Sequence, residues 1–289
     1  MSGTLYVVAT PIGNLEDITL RALRVLGSVP ILAAEDTRAA RRLLSRHGLW
    51  PRPGLQLWSY FEGNEAARGG QLLEAMTQGH DVALISEAGM PGVSDPGMRL
   101  VRAAAEAGLR VEVLPGASAA LCALVGSGLP TGRFLFLGFP PRPQGQRQAL
   151  FSSLRSEPGT LILLEAPERT VRTLAELAQT LGPERPACVA RELTKLHEEY
   201  LRAPLAELVR RLEQDPPRGE VTLVVAGAPP RTQPWDVGVD VEAEVRRRLA
   251  SGERPREIAA ALAPLAGCPR RQVYQLALAL GGRSGPTKR

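Results

Sequence analysis

Among the first 230 positions of this chain a single lysine stands where every other strongly basic residue is arginine. The sequence has 35 Lys+Arg, of which only Lys195 and Lys288 are lysine. A compact, titratable amine at Lys195 therefore reads as a chemical requirement, against the alternative of one lysine surviving by chance on a solvated turn. Such an amine can act as a base when neutral, or as a cation beside a developing alkoxide. His197, Glu198 and Glu199 follow it closely and are either its partners or a polar turn. Asp36 and Arg38, in the string Glu35-Asp36-Thr37-Arg38, are the other candidates for proton transfer or charge stabilisation. Asp36 can equally be a helix N-cap, and Arg38 a surface charge at that helix start.

The segment Leu84 to Gly97 runs from an apolar strand into a loop crowded with Gly, Pro, Ser and acids. Glycine and proline there fix an irregular backbone and remove bulk, so main-chain groups can approach a ligand. No G-x-x-x-x-G-K-[ST] and no G-x-G-x-x-G follows any strand, and the loop is acidic, so a neutral or cationic ligand suits it better than a phosphate.

The elements that must position these residues are repeated units of strand, polar loop and helix start. Leu5-Tyr6-Val7-Val8-Ala9 leads into Thr10-Pro11-Ile12-Gly13-Asn14, with Asp17 or Thr19 capping the next helix. Pro30-Ile31-Leu32-Ala33-Ala34 leads into Glu35-Asp36-Thr37-Arg38, and Val111-Glu112-Val113-Leu114 into Pro115-Gly116-Ala117-Ser118-Ala119-Ala120. Each polar cluster follows the carboxyl end of a predicted strand, the edge where open α/β sheets bind ligands. A second series of strands is predicted at Arg133–Leu137, Thr160–Leu164, Ala187–Ala190 and Glu220–Ala226, with helices at about 168–181 and 204–214 between them. Alternation of this kind implies two α/β lobes, residues 1–115 and 116–230.

Six strings, taken together and in order, carry a family resemblance. They are Val8-Ala9-Thr10-Pro11-Ile12-Gly13-Asn14-Leu15, Glu35-Asp36-Thr37-Arg38, Gly89-Met90-Pro91 with Ser94-Asp95-Pro96-Gly97, Pro115-Gly116-Ala117-Ser118-Ala119, Phe136-Leu137-Gly138-Phe139 and Arg191-Glu192-Leu193-Thr194-Lys195. From about residue 4 to 227 the chain resembles the tetrapyrrole (corrin/porphyrin) methylase superfamily, in its branch that methylates ribosomal RNA. The resemblance implies two α/β lobes of the tetrapyrrole methylase type with the cofactor cleft between them. It also implies S-adenosylmethionine as cofactor, and 2′-O-methylation of a cytidine ribose in 16S rRNA of the 30S subunit by a homodimer. Pro11, Ile12, Glu87, Val93, Ser118, Ala119 and Ala226 would then line the cofactor site, and Lys195, Asp36 and Arg38 would be the catalytic candidates. Glu87 replaces the family's usual Asp, Met90 its Thr and Ala117 its Pro, and Leu164-Glu165-Ala166-Pro167-Glu168-Arg169 carries no His at position 168.

Charge distribution supports a nucleic-acid partner. Residues 231–289 hold 11 Lys+Arg and 6 Asp+Glu, which leaves 24 of each for residues 1–230 and puts the net +5 of the chain in the tail. After the Pro/Trp link Arg231–Trp235, residues 236–289 read as a basic helical module of three short helices, resembling a helix-turn-helix reader. Arg270 and Arg271 open its third helix and, with Arg142 and Arg147 of the Gly138–Gln148 loop, are the expected phosphate contacts. Cys122, Cys188 and Cys268 read as buried apolar residues, no metal motif is evident, and no stretch is long enough for a membrane span. Without a signal sequence the protein is expected in the cytoplasm. A corrinoid or porphyrin methylase of the same fold and a metabolite-sensing nucleic-acid regulator are the competing readings; the basic tail and the Glu-Asp-Thr-Arg loop speak against the first.

Overall fold

The computed structural model describes residues 2–229 and 240–281. The chain divides into two compact units, one ending at Ala228 and one beginning at Pro229. The first holds two five-stranded sheets among its described residues. Strands β1 (Thr4–Val8), β2 (Ile31–Ala34), β3 (Gln56–Ser59), β4 (Val82–Ile85) and β5 (Arg110–Leu114) form an all-parallel sheet in the order β3-β2-β4-β1-β5. Its crossovers use helices α1 (Leu20–Ser28), α2 (Thr37–Arg46), α3 (Glu65–Thr77) and α4 (Met98–Glu106). The sequences Ile31-Leu32-Ala33-Ala34 and Val82-Ala83-Leu84-Ile85 are buried throughout, as expected of parallel strands covered on both faces. Two apolar clusters, one around Leu26, Leu32 and Leu44 and one around Leu5, Leu72 and Leu84, supply the cover.

After β5 the chain passes through α5 (Ala119–Ser127) to the second sheet. There β6 (Phe134–Phe136) lies parallel to β7 (Thr160–Glu165), while β8 (Pro186–Arg191), β9 (Glu199–Pro204) and β10 (Val221–Val225) add antiparallel pairs in the order β6-β7-β10-β8-β9. Helices α6 (Gln144–Ser153), α7 (Pro167–Leu181) and α8 (Leu205–Gln214) bury Phe151, Leu177 and Leu208 on one face. On the other, Ala123 and Leu124 of α5 pack with Ile162, Cys188 and Val224, joined by Ile12 from the loop after β1. A side chain from the first sheet's loop thus sits in the second sheet's core, where its burial contributes about 2 kcal/mol.

Two strands, β3 and β9, lie where sequence patterning indicates none. Both are edge strands of partly exposed residues, Gln-Leu-Trp-Ser and Glu-Tyr-Leu-Arg-Ala-Pro. Edge strands need no continuous apolar run, and the Pro/Gly-rich approach to β3 reads as loop.

The second unit contains α9 (Val241–Ala250), α10 (Pro255–Leu265) and α11 (Arg270–Gly281) around Val245, Ile258, Leu262 and Val273. Arg246, Arg247 and Arg248 pair with Glu242 and Glu244 of their own helix, and Arg248 also with Glu253. Much of the triple-arginine charge is therefore locally compensated by carboxylates one helical turn away. Arg231–Trp235 and Lys288 lie outside the described residues. Among the described residues no helix is long and apolar enough to cross a membrane.

Candidate active-site cleft

Polar loops at the carboxyl ends of the first sheet converge because the backbone ties them together. Thr10 N–H donates to Gly89 O at 2.8 Å and Gly89 N–H to Thr10 O at 3.1 Å, which joins the loop after β1 to the loop after β4. Gly89 has φ +82, a conformation that a side chain disfavours. The far end of that loop is held by Glu65, whose buried carboxylate accepts from Gly97 N–H at 2.9 Å. Between these loops lies a cleft of about 560 Å³, within the range of small-molecule sites. Pro11, Ile12 and Gly13 form one wall, Glu35, Glu87 and Asp95 give another its negative charge, and Phe139, Lys195 and Glu220 close it from the second sheet's side.

The loop bearing Lys195 reaches this cleft under backbone constraint. Glu192 and Thr194 adopt positive φ, 49° and 65°, a left-handed conformation that costs a non-glycine residue about 1 kcal/mol or more. Thr194 Oγ1 accepts from Asn14 N–H at 3.0 Å, and Thr194 N–H donates to Glu198 at 2.6 Å. Gly13 lies so close beneath that an added Cβ would sit 2.5 Å from Lys195 Cγ and 2.9 Å from Leu193 O. Lys195 Nζ donates to Glu192 at 2.9 Å and pairs with Glu220 at 3.1 Å. Burial by itself would depress the ammonium pKa, but these two carboxylates outweigh it and hold Lys195 above the ordinary lysine value. The amine is thus a cation at neutral pH. It also lines a neighbouring pocket with Arg46, His47 and Leu196.

Asp95 is the group whose titration is most altered toward neutrality. Burial pushes its carboxyl up to about 6, with the charges of Glu35 and Glu87 adding to the effect. Glu35 is itself oriented, accepting from Glu87 N–H at 3.1 Å.

Of the residues expected from sequence to face the cofactor, Pro11, Ile12 and Glu87 line the cleft. Val93 is exposed on its loop, Ser118 caps α5 by accepting from Leu121 N–H at 3.4 Å, Ala119 begins that helix, and Ala226 is tied at 2.8 Å to Pro186 O. Those four do not line it. Asp36 caps α2, accepting from Arg38 N–H at 2.7 Å and from the Arg38 side chain, whose hydrogen bond holds the carboxyl below its usual range. An acid so engaged is a poor base near neutral pH. Neither Asp36 nor Arg38 lines the cleft; Glu35 and Arg42 do.

The basic loop needs one correction. Arg142 is exposed, but Arg147 is a buried side chain that makes a two-pronged ion pair with Glu176 at 2.6 and 2.7 Å. Its remaining donors go to Pro141 O and Arg142 O. Arg147 therefore holds the loop instead of meeting a phosphate, a role invisible in sequence because its acidic partner is 29 residues away on α7. Arg270 and Arg271 are exposed at the start of α11 in the second unit. Glu35, Asp95 and Phe139 lie inside motif strings, yet nothing local assigns them to the cleft; the sheet order does.

Two sheets enclosing an acidic cleft at the carboxyl edge of a parallel sheet define a class. Residues 4–209 match the family model of tetrapyrrole (corrin/porphyrin) methylases, and the chain belongs to that family. The solved methyltransferase CobJ superposes with TM-score 0.61 at 22% identity, covering 81% of this chain and 98% of that one. A uroporphyrin-III C-methyltransferase from Thermus thermophilus complexed with S-adenosyl homocysteine gives 0.53 at 24%, over 77% and 97%. At such identities these likenesses bear on the fold.

Sequence relatives narrow the class. The chain is 46% identical to the ribosomal RNA small subunit methyltransferase I of Micromonospora olivasterospora, over 99% of this chain and 90% of the relative. To the protein of the same name from Synechocystis it is 44% identical, over 96% and 98%.

Proposed function

We propose that this chain transfers the methyl group of S-adenosylmethionine to the ribose 2′-oxygen of a cytidine in 16S rRNA, acting on the 30S subunit in the cytoplasm as a homodimer. The observation that carries the reading is near-full-length identity to relatives named for small-subunit rRNA, in a chain whose cleft holds a constrained lysine beside carboxylates. A sulfonium cation suits the negative wall of Glu35, Glu87 and Asp95, which supports S-adenosylmethionine as the cofactor. When bound, it supplies an electrophilic methyl that needs no metal and no covalent intermediate. The chain's own part is positioning: Pro11, Ile12 and Glu87 present backbone and carboxylate to the cofactor, and the tied loops keep water from the line of attack. Lys195, held charged, stabilises the oxyanion that develops on the 2′-oxygen. Asp95, with a pKa near the working range, is suited to take the proton.

The Asp95 role has opposite signs in activity and stability. Because the folded pKa lies above the ordinary aspartate value of 3.8, folding favours the protonated acid, and stability declines as pH rises from about 4 to about 6. Methyl transfer should instead fall as pH drops through about 6, while the fold becomes more stable. Asp95→Asn should remove the stability loss, a gain of about 1 kcal/mol at pH 8 after solvent screening and almost none at pH 4. Urea titrations at both pH values check the stability, and a pH–rate profile the activity.

Purified protein incubated with S-adenosylmethionine and 30S subunits should methylate 16S rRNA; transfer only to a corrinoid or porphyrin acceptor would replace the rRNA reading. In the same assay, deleting residues 236–289 should leave cofactor affinity intact and weaken subunit binding. The plot of log K against log[salt] should become shallower, since fewer phosphates are neutralised. An unchanged slope would remove the basic module from the rRNA contact.

A further inference from the structure

Among the described residues Phe139 is the only aromatic one lining the cleft, and it is 56% exposed. More than half of this residue stays in water, and the loop that carries it is tied to the protein on both sides. Gly138 takes a left-handed φ of 61°, and its carbonyl accepts from Leu164 N–H at 3.0 Å. The three carbonyls after Phe139 are also taken: Pro140 O by Arg169 at 2.9 Å, and Pro141 O and Arg142 O by the buried Arg147 at 3.0 and 2.8 Å. Glu176 neutralises and orients Arg147, and Pro140 and Pro141 fix φ immediately after the ring-bearing residue. The ring is thereby presented on a rigid loop, three residues from Arg142, which is exposed and makes no ion pair among the described residues.

An exposed aromatic ring at the cleft, followed three residues later on the same anchored loop by an unpaired guanidinium, is a combination that suits an unstacked nucleotide, with the ring taking the base and the cation a flanking phosphate. A ribose 2′-oxygen can enter a cleft of this size only if its nucleotide leaves the helical stack, which exposes a base face that needs a replacement neighbour. The geometry points to Phe139 as the stacking platform for the base of the methylated nucleotide, with Arg142 contacting its backbone. This rests on the rRNA reading above. The ring tolerates any base, so it holds the nucleotide in place and does not choose among bases.

Single-turnover methylation of 30S subunits, together with calorimetric S-adenosylmethionine binding, separates stacking from packing across Phe139→Ala, Phe139→Leu and Phe139→Trp. Stacking requires that Ala and Leu both lose about ten- to a hundredfold in kcat/KM while Trp stays near the wild type, with cofactor affinity equal in all four proteins. Full activity in Phe139→Leu would mean that apolar bulk suffices and would overturn the proposal. A parallel loss of cofactor affinity would also overturn it, since the ring would then belong to the cofactor's adenine. Failure of the wild type itself to methylate 30S subunits would instead strike the rRNA reading, so the two failures are distinguishable.

Discussion

Lys195→Ala is expected to bind S-adenosylmethionine and 30S subunits normally, yet to lose single-turnover methyl transfer by on the order of a hundredfold to a thousandfold, as when one donor to a developing oxyanion is removed. Lys195→Arg distinguishes the two roles open to the amine. A base must shed its proton, which arginine cannot do; a cation need only be placed. Since Glu192 and Glu220 hold the lysine pKa above its ordinary value, the cation role is the one the local electrostatics favour, and Lys195→Arg should retain at least ten times the rate of Lys195→Ala. The sign of the pH dependence follows. A raised lysine pKa keeps the charge through neutral pH, so activity lost with the ammonium should disappear only above the usual lysine range. Equal loss in both variants, with a rate that climbs through mild alkali, would restore the general-base role.

Gly13→Val should be as damaging for a reason that involves no chemistry at the residue. Its Cβ would lie 2.5 Å from Lys195 Cγ, 2.8 Å from Thr194 Oγ1 and 2.9 Å from Leu193 O. The lysine side chain could swing aside, but the Leu193 carbonyl belongs to backbone already strained at Glu192 and Thr194. The loop after β1 would have to part from the Lys195 loop and give up the Asn14–Thr194 hydrogen bond at 3.0 Å. A displacement of about 1 Å at a reacting centre costs about a hundredfold in rate. Circular dichroism should show the sheets intact while single-turnover transfer falls by that factor. Wild-type turnover in Gly13→Val would show that the two loops need not touch for catalysis.

Much of this arrangement is legible in the sequence. The apolar runs of β1, β2 and β4 and the polar strings that follow them place the loops at one sheet edge, and the isolation of Lys195 marks a residue that the fold then brings to the cleft. What escapes is long-range. The Asp36 and Glu35 carboxylates are neighbours in sequence, but the helix start consumes the first and leaves the second facing the cleft. Arg147 and Arg142 look alike in a basic loop, and only the packing of α6 against α7 shows that one is an internal strut. β3 and β9 escape because an edge strand need not be apolar. Each of these residues acquires its role from a partner on another element, which local patterning does not record.

Mass spectrometry of 16S rRNA from cells lacking this protein tests the central claim most directly. Loss of a single ribose methyl on a cytidine, restored by the wild-type chain and not by Lys195→Ala, is the expected result. An unchanged set of 16S ribose methyls in the deletion strain would contradict it.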